Sequence, residues 1–149
     1  IWTSSMASSF VPRLGGKAWN LKLAGRHWGN AGASEGFTLR FYIGGSVAPA
    51  NLLLTLPYTQ NATKSAIPWK LDLMLTATGG NGVATNYFAS NADLLVNATT
   101  IQVTADTVGV DTASQANSLF VTIQNTSATT TSTSLRQGWL HCLDQVPGQ

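Results

Sequence analysis

Trp69, Leu71, Leu73 and Leu75 alternate with Lys70, Asp72, Met74 and Thr76. A large apolar residue at every second position fits a strand with one buried face, because successive strand side chains point to opposite sides. The same period recurs along the chain. Trp19, Leu21 and Leu23 alternate with Asn20 and Lys22, and Phe37, Leu39, Phe41 and Ile43 with Thr38, Arg40 and Tyr42. Leu52, Leu54 and Leu56 form a run expected to end at Pro57. Ile101, Val103 and Ala105 form another, and Leu119, Val121 and Ile123 a further one. Gly, Asn and Pro punctuate these runs. Gly25 to Gly36 reads as a loop, as do Ser46 to Asn51, Tyr58 to Ile67 and the Thr/Ser-rich Asn125 to Ser134. Gly79-Gly80-Asn81-Gly82 is a hairpin turn into a partner strand, Val83 to Ala89. The last strand is expected over Leu135 to Val146. The pattern predicts an all-β, antiparallel β-sandwich of jelly-roll type with about eight strands. Trp69, Leu71, Leu73, Leu39, Phe41 and Val121 are its predicted core.

Composition agrees. Charged residues make up 9% of the 149, against about 25% in ordinary soluble domains. There are 19 Thr, 13 Ser and 10 Asn but one Glu, Glu35. A helical bundle would carry Glu, Lys and Arg on its wet faces, and a disordered chain would have more charge and fewer large apolar residues. Eight Lys and Arg in total are too few for a nucleic-acid surface. No apolar run reaches the length of a membrane-spanning helix, and Ile1 to Ser5 lacks a signal-peptide pattern.

The chain divides into an extended N-terminal arm, residues 1–16, and a single sandwich domain, residues 17–149. The arm combines Ser residues and Pro12 with Trp2, Phe10 and Leu14, so it must pack, on its own domain or on a neighbouring subunit. Arg13, Lys17, Lys22 and Arg26 all precede the first acid, which makes this end cationic. Trp28, beside Arg26 and His27 in the expected loop, is the tryptophan expected to be exposed. In the closing strand Trp139, His141 and Leu143 fall on one face and Leu140, Cys142 and Val146 on the other. Apolar residues on both faces predict a subunit contact through Trp139, Leu140 and Leu143.

Catalytic chemistry is poorly provided for. Asp106 and Asp111 flank a stretch, Thr107 to Val110, that reads as a turn, where acids cap amides. His141 and Cys142 are adjacent and so point to opposite faces of a strand, and two His with one Cys fall short of a closed zinc site unless acids or symmetry mates contribute. Gly79–Gly82 has neither the Lys-Thr/Ser pair nor the helix of a phosphate loop. No catalytic residue, metal ligand or cofactor is expected. Three Asn-x-Thr/Ser triplets, at Asn61, Asn97 and Asn125, are unsurprising in this composition.

Gly36-Phe37-Thr38-Leu39-Arg40-Phe41-Tyr42-Ile43-Gly44-Gly45-Ser46-Val47-Ala48, then Ile67-Pro68-Trp69-Lys70-Leu71-Asp72-Leu73, then Ala116 to Gln124 and a Thr-rich loop, carry a family likeness. Over residues 36 to 146 the chain resembles β-sandwich modules in structural proteins of tailed bacteriophages. The resemblance implies a non-enzymatic virion protein on the particle exterior: a capsid decoration or cement protein, or a capsid-fibre head, working as a homotrimer. The major capsid protein or other virion proteins would be its partners. Trp2, Phe10, Arg13, Lys17, Arg26 and Trp28 are then the expected particle-binding residues. The alternative is the carbohydrate-recognising tip of a tail fibre, with a host surface glycan as partner. Neither reading involves nucleic acid or a membrane.

Overall fold

The computed structural model describes residues 2–5, 18–29, 35–60, 64–77, 85–111, 118–126 and 131–143. Nine strands account for nearly all of them: β1 (Trp2–Ser5), β2 (Ala18–Gly29), β3 (Gly36–Gly44), β4 (Leu52–Thr59), β5 (Lys64–Ala77), β6 (Thr85–Val96), β7 (Thr99–Asp111), β8 (Ser118–Asn125) and β9 (Thr131–Leu143). They form two antiparallel sheets. One has the order β1-β8-β3-β4 and the other β7-β6-β5-β2-β9. The chain crosses between sheets after β1, β2, β4, β7 and β8, which makes the two layers a β-sandwich.

The alternation in sequence is the alternation in burial. Trp19, Leu21 and Leu23 of β2, Phe37, Leu39, Phe41 and Ile43 of β3, and Trp69, Leu71, Leu73 and Leu75 of β5 are buried, with Leu94 and Val121 from facing strands. All six residues predicted for the core are within it. Antiparallel strands with one face against a core and one toward water give this period-two pattern.

Several strands run further than the sequence indicated. β2 continues through the expected loop to Gly29, because its glycines serve packing rather than turning. A Cβ at Gly25 would collide with the Ser134 carbonyl and the Trp69 indole, and one at Gly29 with the Gln60 amide. β4 passes through Pro57 to Thr59. It is an edge strand, and on its unpaired side the N–H that proline lacks costs nothing. β7 continues through Thr107 to Val110 instead of turning: Val108, Gly109 and Val110 pair with Phe88, Tyr87 and Asn86 of β6, beyond a register shift. β5 begins at Lys64 and β9 at Thr131, inside segments expected to be loops. Opposite Gly29, β5 accommodates one extra residue: the partner of β2 moves from Ile67 to Lys64, and Ala66 takes φ 55°. β6 and β7 join at Asn97, also at φ 55°, where Asn is tolerated better than most residues.

β1 makes the ninth strand. Trp2 to Ser5 pair antiparallel with Val121 to Ser118 of β8, so this part of the N-terminal segment lies in its own sandwich.

A Cβ at Gly25 would overlap the Ser134 carbonyl oxygen and lie 2.6 Å from the Trp69 indole. Replacing this glycine with Ala drives a methyl into backbone and indole together. We expect Gly25→Ala to lose about 1–3 kcal/mol of unfolding free energy, the usual cost of overpacking, and urea denaturation followed by tryptophan fluorescence measures it.

Candidate functional site

The outer face of the five-stranded sheet carries one continuous row of side chains. Trp139 of β9 registers with Lys22 of β2, Lys22 with Asp72 of β5, Asp72 with Asp93 of β6, and Asp93 with Gln102 of β7. Facing residues of neighbouring strands share a side of the sheet, so all five point away from the core. Together with Lys70, Leu95 and Thr100 they line a concavity of about 530 Å³.

The row is held by polar contacts. Lys22 Nζ lies 3.0 Å from Asp72 Oδ2, and Asn20 Nδ2 donates to Asp72 Oδ1 at 2.5 Å. Gln102 Nε2 donates to Asp93 Oδ1 at 2.7 Å. Two carboxylates directly opposite each other on adjacent strands repel, and these partners offset that repulsion. Desolvation pushes the Asp72 carboxyl up, but the hydrogen bonds from Lys22 and Asn20, with the charges of Lys22 and Lys70, outweigh it and hold Asp72 below its ordinary value. A carboxyl held ionised, with both oxygens engaged, serves poorly as a proton donor or nucleophile. Among the described residues no three His, Cys, Asp or Glu gather as a metal site, and no helix is long and apolar enough to cross a membrane.

A second polar cluster lies inside the sandwich. His27 faces inward from β2 and is fully buried. Its Nε2 is 3.2 Å from Gln60 Oε1 and its Nδ1 2.9 Å from Thr133 Oγ1, whose hydroxyl donates to Asn125 Oδ1 at 2.6 Å. The ring packs 5.0 Å from Phe37 and 5.9 Å from Tyr58, centre to centre. Thr133 has one hydroxyl proton and gives it to Asn125, so Nδ1 of His27 donates to Thr133. Nε2 faces the Gln60 amide oxygen, an acceptor that favours a proton on that nitrogen. Burial lowers the His27 pKa, against the opposing effects of the Gln60 hydrogen bond and the Glu35 charge.

The residues singled out from sequence are dispersed. Arg26 is exposed and Trp28 half-buried, both on β2 in alternation with the inward positions, so Trp28 lies on the sheet rather than in a loop. Trp2 sits in β1. Phe10, Arg13 and Lys17 lie outside the described residues, as do Asn61 and Val146. Lys22 of the cationic segment is paired with Asp72. Leu140 turns inward and packs against the core, Trp139 lines the outer concavity, and Leu143 is exposed at the end of β9. His141 is exposed and its neighbour Cys142 registers with the buried position Trp19. Asn97 stands at the β6–β7 turn. Sequence reasoning missed both the Asp72–Asp93 pairing and the His27 cluster. The first requires strand register. The one available signal for the second was the even spacing that puts His27 in phase with Trp19, Leu21 and Leu23.

No protein-family model, curated protein or solved structure matches this chain.

The buried imidazole makes stability depend on pH. Its folded pKa lies below the ordinary 6.5, so the unfolded chain takes up the proton first on acidification. The contribution is complete above pH ~6.5 and is lost as pH falls from there toward the folded value. We expect the melting temperature to drop between pH ~7.5 and pH ~5, and the drop to shrink in His27→Gln. Calorimetry of both proteins across that range tests it.

Proposed function

We propose that this chain is a non-enzymatic structural module of a virion exterior, a capsid decoration or cement protein or the head of a capsid fibre, that works as a homotrimer. The virion context rests on the sequence resemblance over residues 36 to 146. The observation that carries the assembly is strand β9. It closes one side of the five-stranded sheet and, among the described residues, pairs only with β2. Its free edge is 13 residues long, and Trp139 and Leu143 stand 47% and 41% exposed along it.

A long edge strand with apolar side chains invites pairing with another chain unless it is covered. Surface charge does little to oppose this, since 9% of residues are charged in all. Symmetry then decides the number of copies. Antiparallel pairing of β9 with its own copy is isologous and closes at two subunits, whereas a trimer needs β9 to meet a different surface of the next copy. The trimer therefore uses a heterologous contact around a threefold axis, with Leu143 inside it.

Arg26 and Trp28 lie on the outer face of the same sheet, registered with Ser134 and Ser132 at the start of β9. In this reading they, with the N-terminal residues Trp2, Phe10, Arg13 and Lys17, meet the particle. Cationic residues speed the encounter with an acidic surface, and the aromatics hold the complex once formed.

Light scattering on the purified chain should give the mass of three subunits at micromolar concentration. Leu143→Lys, which places a charge at the edge, should shift the mass toward the monomer while leaving the circular dichroism unchanged. A monomer mass for the unaltered chain rules out the trimer. The chain should also be found by mass spectrometry in purified particles of the virus whose genome encodes it, and its absence there rules out the virion role.

A further inference from the structure

The concavity on the outer face of the five-stranded sheet adjoins the edge strand β9 through Trp139 and asks for a ligand of its own. Its floor is the row Trp139, Lys22, Asp72, Asp93 and Gln102, one residue from each strand. Neighbouring strands are ~4.8 Å apart, so the row spans about 19 Å. That length suits an extended oligomer better than a single small molecule.

Three observations define the ligand. The first is charge. Lys22 and Lys70 face Asp72 and Asp93 in the same concavity, so the formal charges cancel and neither a polyanion nor a polycation is drawn in. The second is the kind of group offered. The floor is the face of a sheet, whose backbone N–H and C=O groups are engaged with neighbouring strands, so a peptide main chain finds nothing to pair with. Recognition falls to side chains. Asp93 binds Gln102 through one carboxylate oxygen, which leaves the other oxygen and the Gln102 amide oxygen to accept, while the Lys70 ammonium donates. Closely spaced donors and acceptors fit a ligand whose groups both donate and accept, that is, neighbouring hydroxyls. The third is Trp139, 47% exposed at one end of the row. It offers a broad apolar surface beside these polar groups. A ligand with hydroxyls at its rim and C–H bonds on its flat side complements both.

We propose that this concavity binds a neutral oligosaccharide, with the Trp139 indole stacked on one sugar ring and Asp93, Gln102 and Lys70 hydrogen-bonding the hydroxyls of the following sugars. Asp72, fixed by Lys22 and Asn20, holds the floor rigid so that little side-chain entropy is lost on binding. The site is complete within one chain and does not depend on the virion or trimer reading.

The full chain is titrated with cellohexaose, maltohexaose, xylohexaose and mannohexaose, each to about 10 mM, by isothermal calorimetry and tryptophan fluorescence. At least one should bind with a Kd between micromolar and millimolar, the range of weak specific complexes. Trp139→Ala and Asp93→Ala should each weaken that binding at least about tenfold, a loss of one decade in Kd. Val47→Ser, on an exposed bend after β3, should leave it unchanged. Circular dichroism checks each variant, and Asp93→Asn replaces Asp93→Ala if the latter does not fold. The proposal is overturned if no probe binds, or if the Trp139 and Asp93 variants bind like the unaltered chain. It is also overturned if Trp139→Ala changes the subunit mass while no sugar binds, since the indole then belongs to a subunit contact. Shortening of the probe during titration overturns it too, because the groove would then be a catalytic centre.

Discussion

The Trp69 indole fills the space that any side chain at position 25 would need. This one steric fact governs the five-stranded sheet. With glycine at 25, β2 fits between β5 and β9 and keeps both ladders over most of its length, with a register shift against β9 at Ala24/Gly25. Trp69 in turn stacks 5.8 Å from Phe37 of the opposite sheet, which ties the two layers together. Its indole nitrogen is buried with no hydrogen-bond partner among the described residues. An unsatisfied buried donor costs about 1–3 kcal/mol, so the apolar contact of this ring must more than offset that. The inward side of β2 is thus settled by packing, and the outward side inherits its register. Lys22 faces Asp72 and Trp139 because Gly25 and Trp69 fix where β2 sits.

Most of the fold was legible because one physical rule wrote it. A half-buried strand in water must alternate, and Trp69 to Leu75 or Phe37 to Ile43 have no other regular way to bury their large residues. Boundaries were less legible where a residue had two uses. Gly25 and Gly29 look like turn formers, yet their lack of a Cβ serves close packing against Trp69 and Gln60. Pro57 looks like a terminator, yet an edge strand tolerates it. Thr131 to Ser134 look like loop, but Thr and Ser are acceptable strand residues when a partner supplies the ladder, as β2 does here. Local sequence cannot say which use applies, because the deciding atom belongs to a distant strand.

The outer face was illegible for a related reason. Asp72 and Asp93 are ordinary surface acids until register sets them opposite each other. A tight turn centred on Gly80-Asn81 would bring Asp72 opposite Ala89 instead. The actual register follows the apolar phase of both strands, with Leu71 facing Leu94 and Leu73 facing Ala92 on the buried side. Register is strongly specified wherever one face is buried. The core therefore chooses the pairs on the wet face without regard to their charge.

That choice bears on function. Two facing carboxylates on an exposed sheet are an electrostatic cost, and nothing in the core requires both outward positions to be acidic. Asn or Thr, abundant in this chain, would fill either position without repulsion. Here instead Asn20, Lys22 and Gln102 are arranged around the two acids, in a protein in which 9% of residues are charged. A charged network that the fold does not need, set in a concavity with an exposed indole at its end, has the character of a recognition surface. The buried His27 cluster has the opposite character. It is polar, enclosed and partnered on both ring nitrogens, and its chemistry is spent on joining β2 to the segments around Gln60 and Thr133. The same strand therefore carries an inward histidine that serves the fold and an outward lysine that pairs with Asp72 on the wet face, separated only by the alternation of the backbone.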